Sequence, residues 1–122
     1  MSDLVIRRFD QPDESTSMSR GMLDLLRVSG LTLGRAVYEP GWKWSVDVGA
    51  ASGEAWCTVS HVGMVLRGQN IVTMQDGRTV TLQPGDVFVI GPGHDSEVLG
   101  EEPYESLHLA GAEHYAKGAG TT

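Results

Sequence analysis

The stretch that decides the fold is Pro84-Gly85-Asp86-Val87-Phe88-Val89-Ile90-Gly91-Pro92-Gly93-His94-Asp95. Pro-Gly on one side and Gly-Pro-Gly on the other enclose a short β-prone segment, which predicts a strand with definite ends. The bend after it carries a histidine, which titrates near neutral pH, next to a carboxylate. We therefore expect His94 and Asp95 to act as a catalytic acid/base pair, or Asp95 to cap the turn.

The size and charge of the chain limit its function. Its 122 residues suit one domain that can enclose a core or a ligand pocket. With 9 Lys and Arg against 16 Asp and Glu, the net charge is −7, so we expect no nucleic-acid partner. A single cysteine, Cys57, fits a reducing cytoplasm. No apolar stretch approaches the roughly 20 residues of a membrane span, so we expect a cytoplasmic protein without a membrane partner.

Strand patterns outnumber helix patterns along the chain. The ambiguous segment 18–28 fits either a helical turn or a strand, and the flanking Gly21 and Gly30 favour the strand. Residues 10–20 are polar and predict a loop. The other predicted strands are 3–9, 31–39, 42–46, 56–66, 71–75, 78–82, 86–90, 96–99 and 104–109. Many short strands with almost no helix predict an all-β sandwich or barrel.

The clearest hairpin is centred on Asp76-Gly77. Asp-Gly between two alternating runs is typical of a two-residue type I′ turn. Such a turn pairs residue 75 with residue 78. This register predicts one shared face for Ile71, Thr73, Val80 and Leu82.

Two motifs resemble those of the cupin superfamily. The series Pro84-Gly85-Asp86, Gly91-Pro92-Gly93 and then an ionisable residue is similar to the second cupin motif, and residues 61–68 are similar to the end of the first. Residues 39–45, EPGWKWS, further resemble small single-domain bacterial cupins. The resemblance implies a jelly-roll β-barrel, commonly dimeric, with a pocket that often holds a divalent metal. We expect an N-terminal strand and loop arm at 1–29, the barrel at 30–110 and a flexible tail at 111–122.

The chain departs from the metal ligands that the resemblance implies. Most cupins bind metal through two histidines and a glutamate of the first motif and a histidine of the second. In this chain those positions hold Ala55, Cys57, His61 and Ser96, and His94 stands two residues before the last of them. The usual set of three histidines and one glutamate is therefore absent as such.

A different metal set remains open. In a strand over 56–66, Cys57, Val59 and His61 share one face, and His94 approaches from the neighbouring bend. Cysteine plus two histidines suits zinc, with a fourth position for water. The cofactor would be a divalent zinc, iron, manganese or nickel ion, or the pocket binds none. In that alternative, His61 is a hydrogen-bonded core histidine and Cys57 a small buried residue.

Five further residues are candidates for contact with a small-molecule substrate. Three of them have a structural alternative: packing in the core or in a dimer for the tryptophan, a turn for the glutamate and the sheet surface for the histidine. The candidates are Trp44, Glu39, Val59, His108 and Tyr104.

Two functions of different classes follow. In the first, His61 and His94 serve an enzyme that catalyses an isomerisation, cyclisation, elimination or oxygenation of a metabolite. Burying two titratable histidines in one small cavity costs free energy, so a purely structural role does not account for them well. The alternative is a non-catalytic cupin that binds or senses a ligand. Outward-facing apolar residues on the 56–66 strand predict a homodimer. They are Trp56, Val62, Met64 and Leu66.

Overall fold

The computed structural model describes residues 4–110 and Ala112, and this part of the chain is built almost wholly from strands. The nine strands are β1 (Glu14–Met18), β2 (Gly21–Val28), β3 (Leu31–Tyr38), β4 (His61–Arg67), β5 (Gln69–Met74), β6 (Thr79–Leu82), β7 (Val87–Ile90), β8 (His94–Leu99) and β9 (Tyr104–Ala110). Helical structure in the described residues is limited to α1 (Trp44–Asp47) and a 3₁₀ turn (Gly49–Ala51). The all-β prediction is confirmed. No helix formed by the described residues has the length and apolar character needed to cross a membrane.

The strands form two antiparallel sheets that face each other. The larger sheet has six strands in the order β1-β2-β3-β9-β4-β7, and the smaller has the order β6-β5-β8. Because side chains alternate along a strand, every second residue points between the sheets. Leu23, Val65, Val72 and Val98 are among the residues buried there. This arrangement encloses a core and leaves a cavity beside it.

The N-terminal strand lies later in the chain than the sequence pattern predicts. The described residues of the predicted strand 3–9 form no strand, whereas Glu14–Met18, predicted as loop, form β1. β1 pairs with β2 from Glu14↔Leu25 to Met18↔Gly21. The composition of β1 is polar because it is an edge strand with one face in solvent. The predicted strand at 18–28 is confirmed as β2.

The alternating Trp42-Lys43-Trp44 segment is not a strand. Lys43 donates its backbone N–H to the Asp47 carboxylate at 2.8 Å, and the Asp47 N–H donates to the Lys43 carbonyl at 2.7 Å. These two bonds close the helical turn α1. The prediction was wrong because a local acidic side chain satisfies the backbone that a strand would have paired. Both tryptophans are nevertheless buried.

The predicted hairpin exists with a register that differs by one residue. The observed pairs run from Asn70↔Leu82 to Thr73↔Thr79, and Met74 donates its N–H to the Arg78 carbonyl. Three residues therefore form the loop, and Gly77 takes the left-handed conformation with φ of 96° that such a loop requires. The shift changes the inward face of β5 to Asn70 and Val72.

The strand predicted over residues 56–66 is shorter in the structure, where β4 begins only at His61. Residues 56–60 lie outside any strand, and Cys57 forms an isolated bridge with His94 instead. The predicted strands at 86–90, 96–99 and 104–109 are confirmed with small changes of boundary as β7, β8 and β9. The predicted flexible tail lies outside the described residues except for Ala112, which is buried.

Candidate metal centre

Inward-facing side chains of both sheets line a small cavity of about 40 Å³. This volume accommodates a few water molecules or atoms of comparable size. The polar lining residues come from β3, β4, β5, β8 and β9 and from α1. They are Tyr38, Trp44, His61, Asn70, His94, Ser96, Tyr104, Ser106 and His108. The rest of the wall is apolar, from Val72, Leu82, Phe88 and Ile90.

Three potential metal ligands form a cluster, and two of them, His61 and His94, line this cavity. One ligand atom from each of Cys57, His61 and His94 lies within 4.8 Å of the other two, and all three residues are buried. The Cys57 Sγ lies 3.6 Å from the His61 Nε2. A tetrahedral zinc with Zn–S of about 2.3 Å and Zn–N of about 2.1 Å holds these two atoms about 3.6 Å apart. The observed spacing therefore fits a metal ion without rearrangement of this pair.

The local fold explains how Cys57 reaches His61. In an extended strand, residues four apart are separated by about 13 Å, too far for one ion. The chain before β4 instead turns toward β8, where the Cys57 N–H donates to the His94 carbonyl at 2.7 Å and the Gly93 N–H donates to the Cys57 carbonyl at 2.8 Å. The predicted cluster of Cys57, His61 and His94 is thus present, but the strand from which it was predicted is not.

The bend before β8 sets the tautomer of His94. Its Nδ1 lies 2.7 Å from the Gly91 carbonyl oxygen. A carbonyl only accepts hydrogen bonds, so Nδ1 carries the proton and Nε2 keeps its lone pair. A backbone carbonyl that holds the second nitrogen is the usual support of a metal-binding histidine. Gly93, with φ of 86°, provides the bend that allows this contact.

Burial keeps the histidines neutral, which is the form that binds metal. Desolvation, together with smaller contributions from the nearby His108 and His94, lowers the pKa of His61 to about 2. Desolvation also lowers the pKa of His94, against the raising effect of its bond to Gly91. The same burial raises the pKa of the Cys57 thiol to about 11. In the absence of metal Cys57 is therefore protonated, and a metal ion would have to displace that proton.

His108 lies next to the cluster but is not part of it. Its ring centroid is 5.4 Å from that of His61, and its Nε2 lies 3.1 Å from the Ser106 Oγ. Complete burial lowers the pKa of His108 to about 4. A neutral imidazole beside the ligands can accept a proton from a group bound at the cluster.

Of the other predicted site residues, two line the cavity and two lie away from it. Trp44 and Tyr104 line the cavity. Val59 is buried in the core and is not among the residues that line the cavity. Glu39 is exposed at the turn after β3, where its carbonyl accepts the Trp42 N–H. Glu39 is thus separate from the cavity, because the Pro40-Gly41 turn directs it to solvent.

The structure does not support Asp95 as the acid/base partner of His94. The two residues are neighbours on β8 and point to opposite faces of the sheet. The Asp95 carboxylate accepts hydrogen bonds from the Ser45 N–H at 2.9 Å and the Ser45 hydroxyl at 2.8 Å. Asp95 therefore anchors α1 to β8, and no hydrogen bond joins it to His94 in the described part of the chain.

Sequence reasoning missed Asn70 as a cavity residue. The hairpin register predicted from Asp76-Gly77 placed residues 71 and 73 on the face of Leu82, which excluded Asn70 from that face. The observed pair Asn70↔Leu82 places Asn70 inside. A polar residue at the start of an apolar strand was the available signal. Only the correct register, however, shows that the side chain of this residue points into the cavity and not to solvent.

Comparison with known proteins identifies the fold. No family model matches the chain, and a search of curated proteins found no match. Among solved structures, ectoine synthase from P. lautus has a TM-score of 0.62 at 8% identity, over 87% of this chain and 78% of that one.

Two further structures agree. A protein of unknown function from Acidithiobacillus ferrooxidans has a TM-score of 0.58 at 19% identity, over 80% of this chain and 86% of its own. A sugar phosphate isomerase of the cupin superfamily from Silicibacter pomeroyi has a TM-score of 0.54 at 19% identity, over 75% of this chain and 59% of its own. At such low identities the likeness concerns the backbone alone. The two antiparallel sheets, their internal cavity and these neighbours together show that this chain has the cupin fold.

Proposed function

We propose that the protein is a metal-dependent enzyme in which Cys57, His61 and His94 hold one divalent cation. The observation that carries this proposal is the mutual approach of the three ligand atoms of these buried residues to within 4.8 Å. The reaction would be a proton-transfer reaction of a small metabolite, an isomerisation, cyclisation or elimination.

The donor set favours zinc. One thiolate and two imidazoles are borderline-soft ligands that suit zinc, whereas magnesium and calcium require oxygen ligands. Three protein ligands leave a fourth tetrahedral position open, which distinguishes catalytic from structural zinc sites. When bound, the ion would act as a Lewis acid on a substrate carbonyl or carboxylate oxygen.

The chain's own residues would handle the proton and exclude water. Neutral His108, adjacent to His61, can accept a proton from the carbon next to the polarised group. Burial raises the pKa of Tyr104, so its hydroxyl remains a hydrogen-bond donor at neutral pH. The apolar part of the wall, which includes Phe88 and Ile90, limits access of water.

The named neighbours agree with a reaction of this class. One is a synthase and another a sugar phosphate isomerase. A fold does not determine a reaction, so this agreement supports only the general class.

A non-catalytic ligand-binding or sensor protein is the second candidate. The observation that favours it is the small cavity of about 40 Å³, because pockets for larger ligands usually measure roughly 300–1,000 Å³. In this case the metal would bind without turnover.

Metal analysis of purified, reconstituted protein tests the proposal. We expect one zinc per chain in the unaltered protein, and its loss in Cys57→Ala, His61→Ala and His94→Ala. His108→Gln should keep the metal, because this histidine lies outside the cluster. Cobalt substitution should give a thiolate-to-metal absorption band that disappears in Cys57→Ala. A metal content unaffected by these three substitutions would refute the site.

Turnover separates the two candidates. Incubation of the zinc protein with a panel of small oxo and hydroxy acids in heavy water, followed by proton NMR, detects proton exchange at carbon. An enzyme should exchange at least one panel member, and His108→Gln should slow the exchange by roughly 10²–10⁴-fold while the metal stays bound. Binding of panel members without exchange would support the sensor.

A further inference from the structure

Two buried polar atoms line the cavity outside the metal cluster. The Trp44 Nε1 and the Asn70 Oδ1 have no hydrogen-bond partner among the described residues. Trp44 is 2% exposed and Asn70 3% exposed. Buried donors and acceptors are nearly always hydrogen-bonded, so a pair left open in one cavity calls for an explanation.

The two atoms reach the cavity from different elements, Asn70 from β5 and Trp44 from α1. Asn70 pairs with Val98, and the chain that leads into α1 is bridged to β8 through Lys43↔Glu97. His94 stands at the first residue of β8, four residues before Val98. Four strand residues span about 13 Å between backbone positions. Asn70 therefore lies apart from His94 along β8, whereas α1, which carries Trp44, is tied to β8 at both Glu97 and Asp95.

The position of Trp44 is built into the fold. Asp95 holds α1 through Ser45, and Gly49 leaves space for the indole, since a Cβ at Gly49 would lie 2.5 Å from the Trp44 Cζ3. A side chain supported in this way is ready to bind a ligand group.

We propose, on the basis of the metal site proposed above, that Trp44 and Asn70 form a second subsite for a neutral hydroxyl group of the substrate. The indole N–H donates to that group, and the Asn70 amide oxygen accepts from it. A neutral group is favoured because no lysine, arginine, aspartate or glutamate is among the described residues that line the cavity. The substrate class is then a short carboxylic acid with a hydroxyl group at its other end, the carboxylate facing the cation.

Trp42 provides a matched control. Its Nε1 is also buried with no partner in the described part of the chain. However, its ring stacks on Tyr38 at 3.8 Å between centroids, and Trp42 does not line the cavity. Trp44→Phe therefore removes an indole N–H from the subsite. Trp42→Phe removes the same group from a buried position outside the cavity and serves as the control.

The first experiment measures the contribution of a ligand hydroxyl to affinity. Glycolate, 3-hydroxypropionate and 4-hydroxybutyrate are titrated into the zinc protein beside propionate, butyrate and valerate, in which a methyl replaces the hydroxyl. We expect at least one hydroxy acid to bind roughly 5- to 100-fold more tightly than its methyl partner. This advantage should disappear in Trp44→Phe and in Asn70→Leu and persist in Trp42→Phe. No advantage at any length, or the same advantage in all variants, would overturn the subsite.

A second experiment does not depend on the metal. The indole ¹H–¹⁵N signals of the metal-free protein are assigned with the two phenylalanine variants and followed during titration with 1,3-propanediol. The Trp44 signal should shift, the Trp42 signal should not, and Asn70→Leu should weaken the response. If zinc fails to bind and Trp44 still shifts, the metal site is refuted and the subsite stands. An unchanged Trp44 signal refutes the subsite.

Discussion

The Cys57 Sγ and the His61 Nε2 lie 3.6 Å apart although the two residues are separated by three others in a segment that the sequence pattern predicts as strand. The contact exists because Cys57 pairs its backbone with His94 on a different sheet and not with the strand that follows. Three candidate ligands from two chain segments thereby converge on one point. This convergence has consequences that can be measured.

Zinc binding should release one proton near pH 7. The Cys57 thiol is protonated in the free protein because burial raises its pKa to about 11, whereas His61 and His94 are already neutral. Binding should therefore tighten about tenfold per pH unit. Calorimetry in buffers of different ionisation enthalpy measures the proton count. Cys57→Ala should release none, and no release by the unaltered protein would show that the thiolate is not a ligand.

The metal-free protein should lose stability when the pH falls from 7 to 5. Burial lowers the pKa of His61 to about 2 and of His108 to about 4, compared with roughly 6.5 in an unfolded chain. The unfolded state thus binds more protons below pH 6.5, so the free energy of unfolding falls with pH. We expect a loss of about 4 kcal/mol from these two residues.

Urea unfolding at several pH values measures this loss. The exposed Asp13 and Asp76 also have lowered pKa values, but they change the free energy of unfolding only below about pH 4, outside the range from pH 7 to 5. His108→Gln should make the dependence shallower by about 1.4 kcal/mol per pH unit. A stability that stays constant between pH 7 and 5 would contradict neutral buried histidines.

Asp95 should contribute to stability and not to metal binding. Asp95→Ala removes two hydrogen bonds to Ser45 and should lower the free energy of unfolding by about 1–3 kcal/mol. Ser45→Ala removes only the hydroxyl bond and should have a smaller effect. The double variant should be less destabilised than the sum of the single ones. A full loss of zinc in Asp95→Ala, with the fold intact, would indicate that Asp95 has a role at the metal site after all.

We propose that the protein forms a homodimer through the outer face of the larger sheet. Six apolar residues on three adjacent strands make up this outer apolar face: Val62, Met64, Val87, Val89, Leu107 and Leu109. Val87 is 69% and Val89 78% exposed, and both pair with β4. Trp56, predicted to share this face, lies outside β4. An exposed apolar patch of this kind is typical of an interface.

Light scattering at micromolar concentration tests this dimer. The unaltered protein should have twice the mass of the chain, and Val89→Lys and Met64→Lys should give monomers because a charge would be buried at the contact. Val46→Lys, at an exposed position of α1 that is not part of this face, is the matched control and should remain dimeric. A monomeric unaltered protein would refute the proposal.

Local patterns predicted most of the strands. The apolar segments that became β2, β3, β7 and β9 are bounded by glycine or proline, and their ends depend on residues close in sequence. The hairpin around Gly77 was also predictable, but its register was not. Glycine is found in both two-residue and three-residue hairpin loops. The backbone conformation of the residues before Gly77 determines which of the two loops forms, and therefore the register.

By itself, the sequence determined that the chain is all-β, that its motifs resemble those of cupins, and that His61 and His94 belong to one pocket. These results follow from side-chain alternation and turn residues, which act over a few positions. Only the tertiary structure decided by which backbone path Cys57 reaches His61, that Asp95 holds α1, that Asn70 points inward and that Glu39 does not. Each of these depends on a partner in another segment of the chain, and no local pattern encodes the position of that partner.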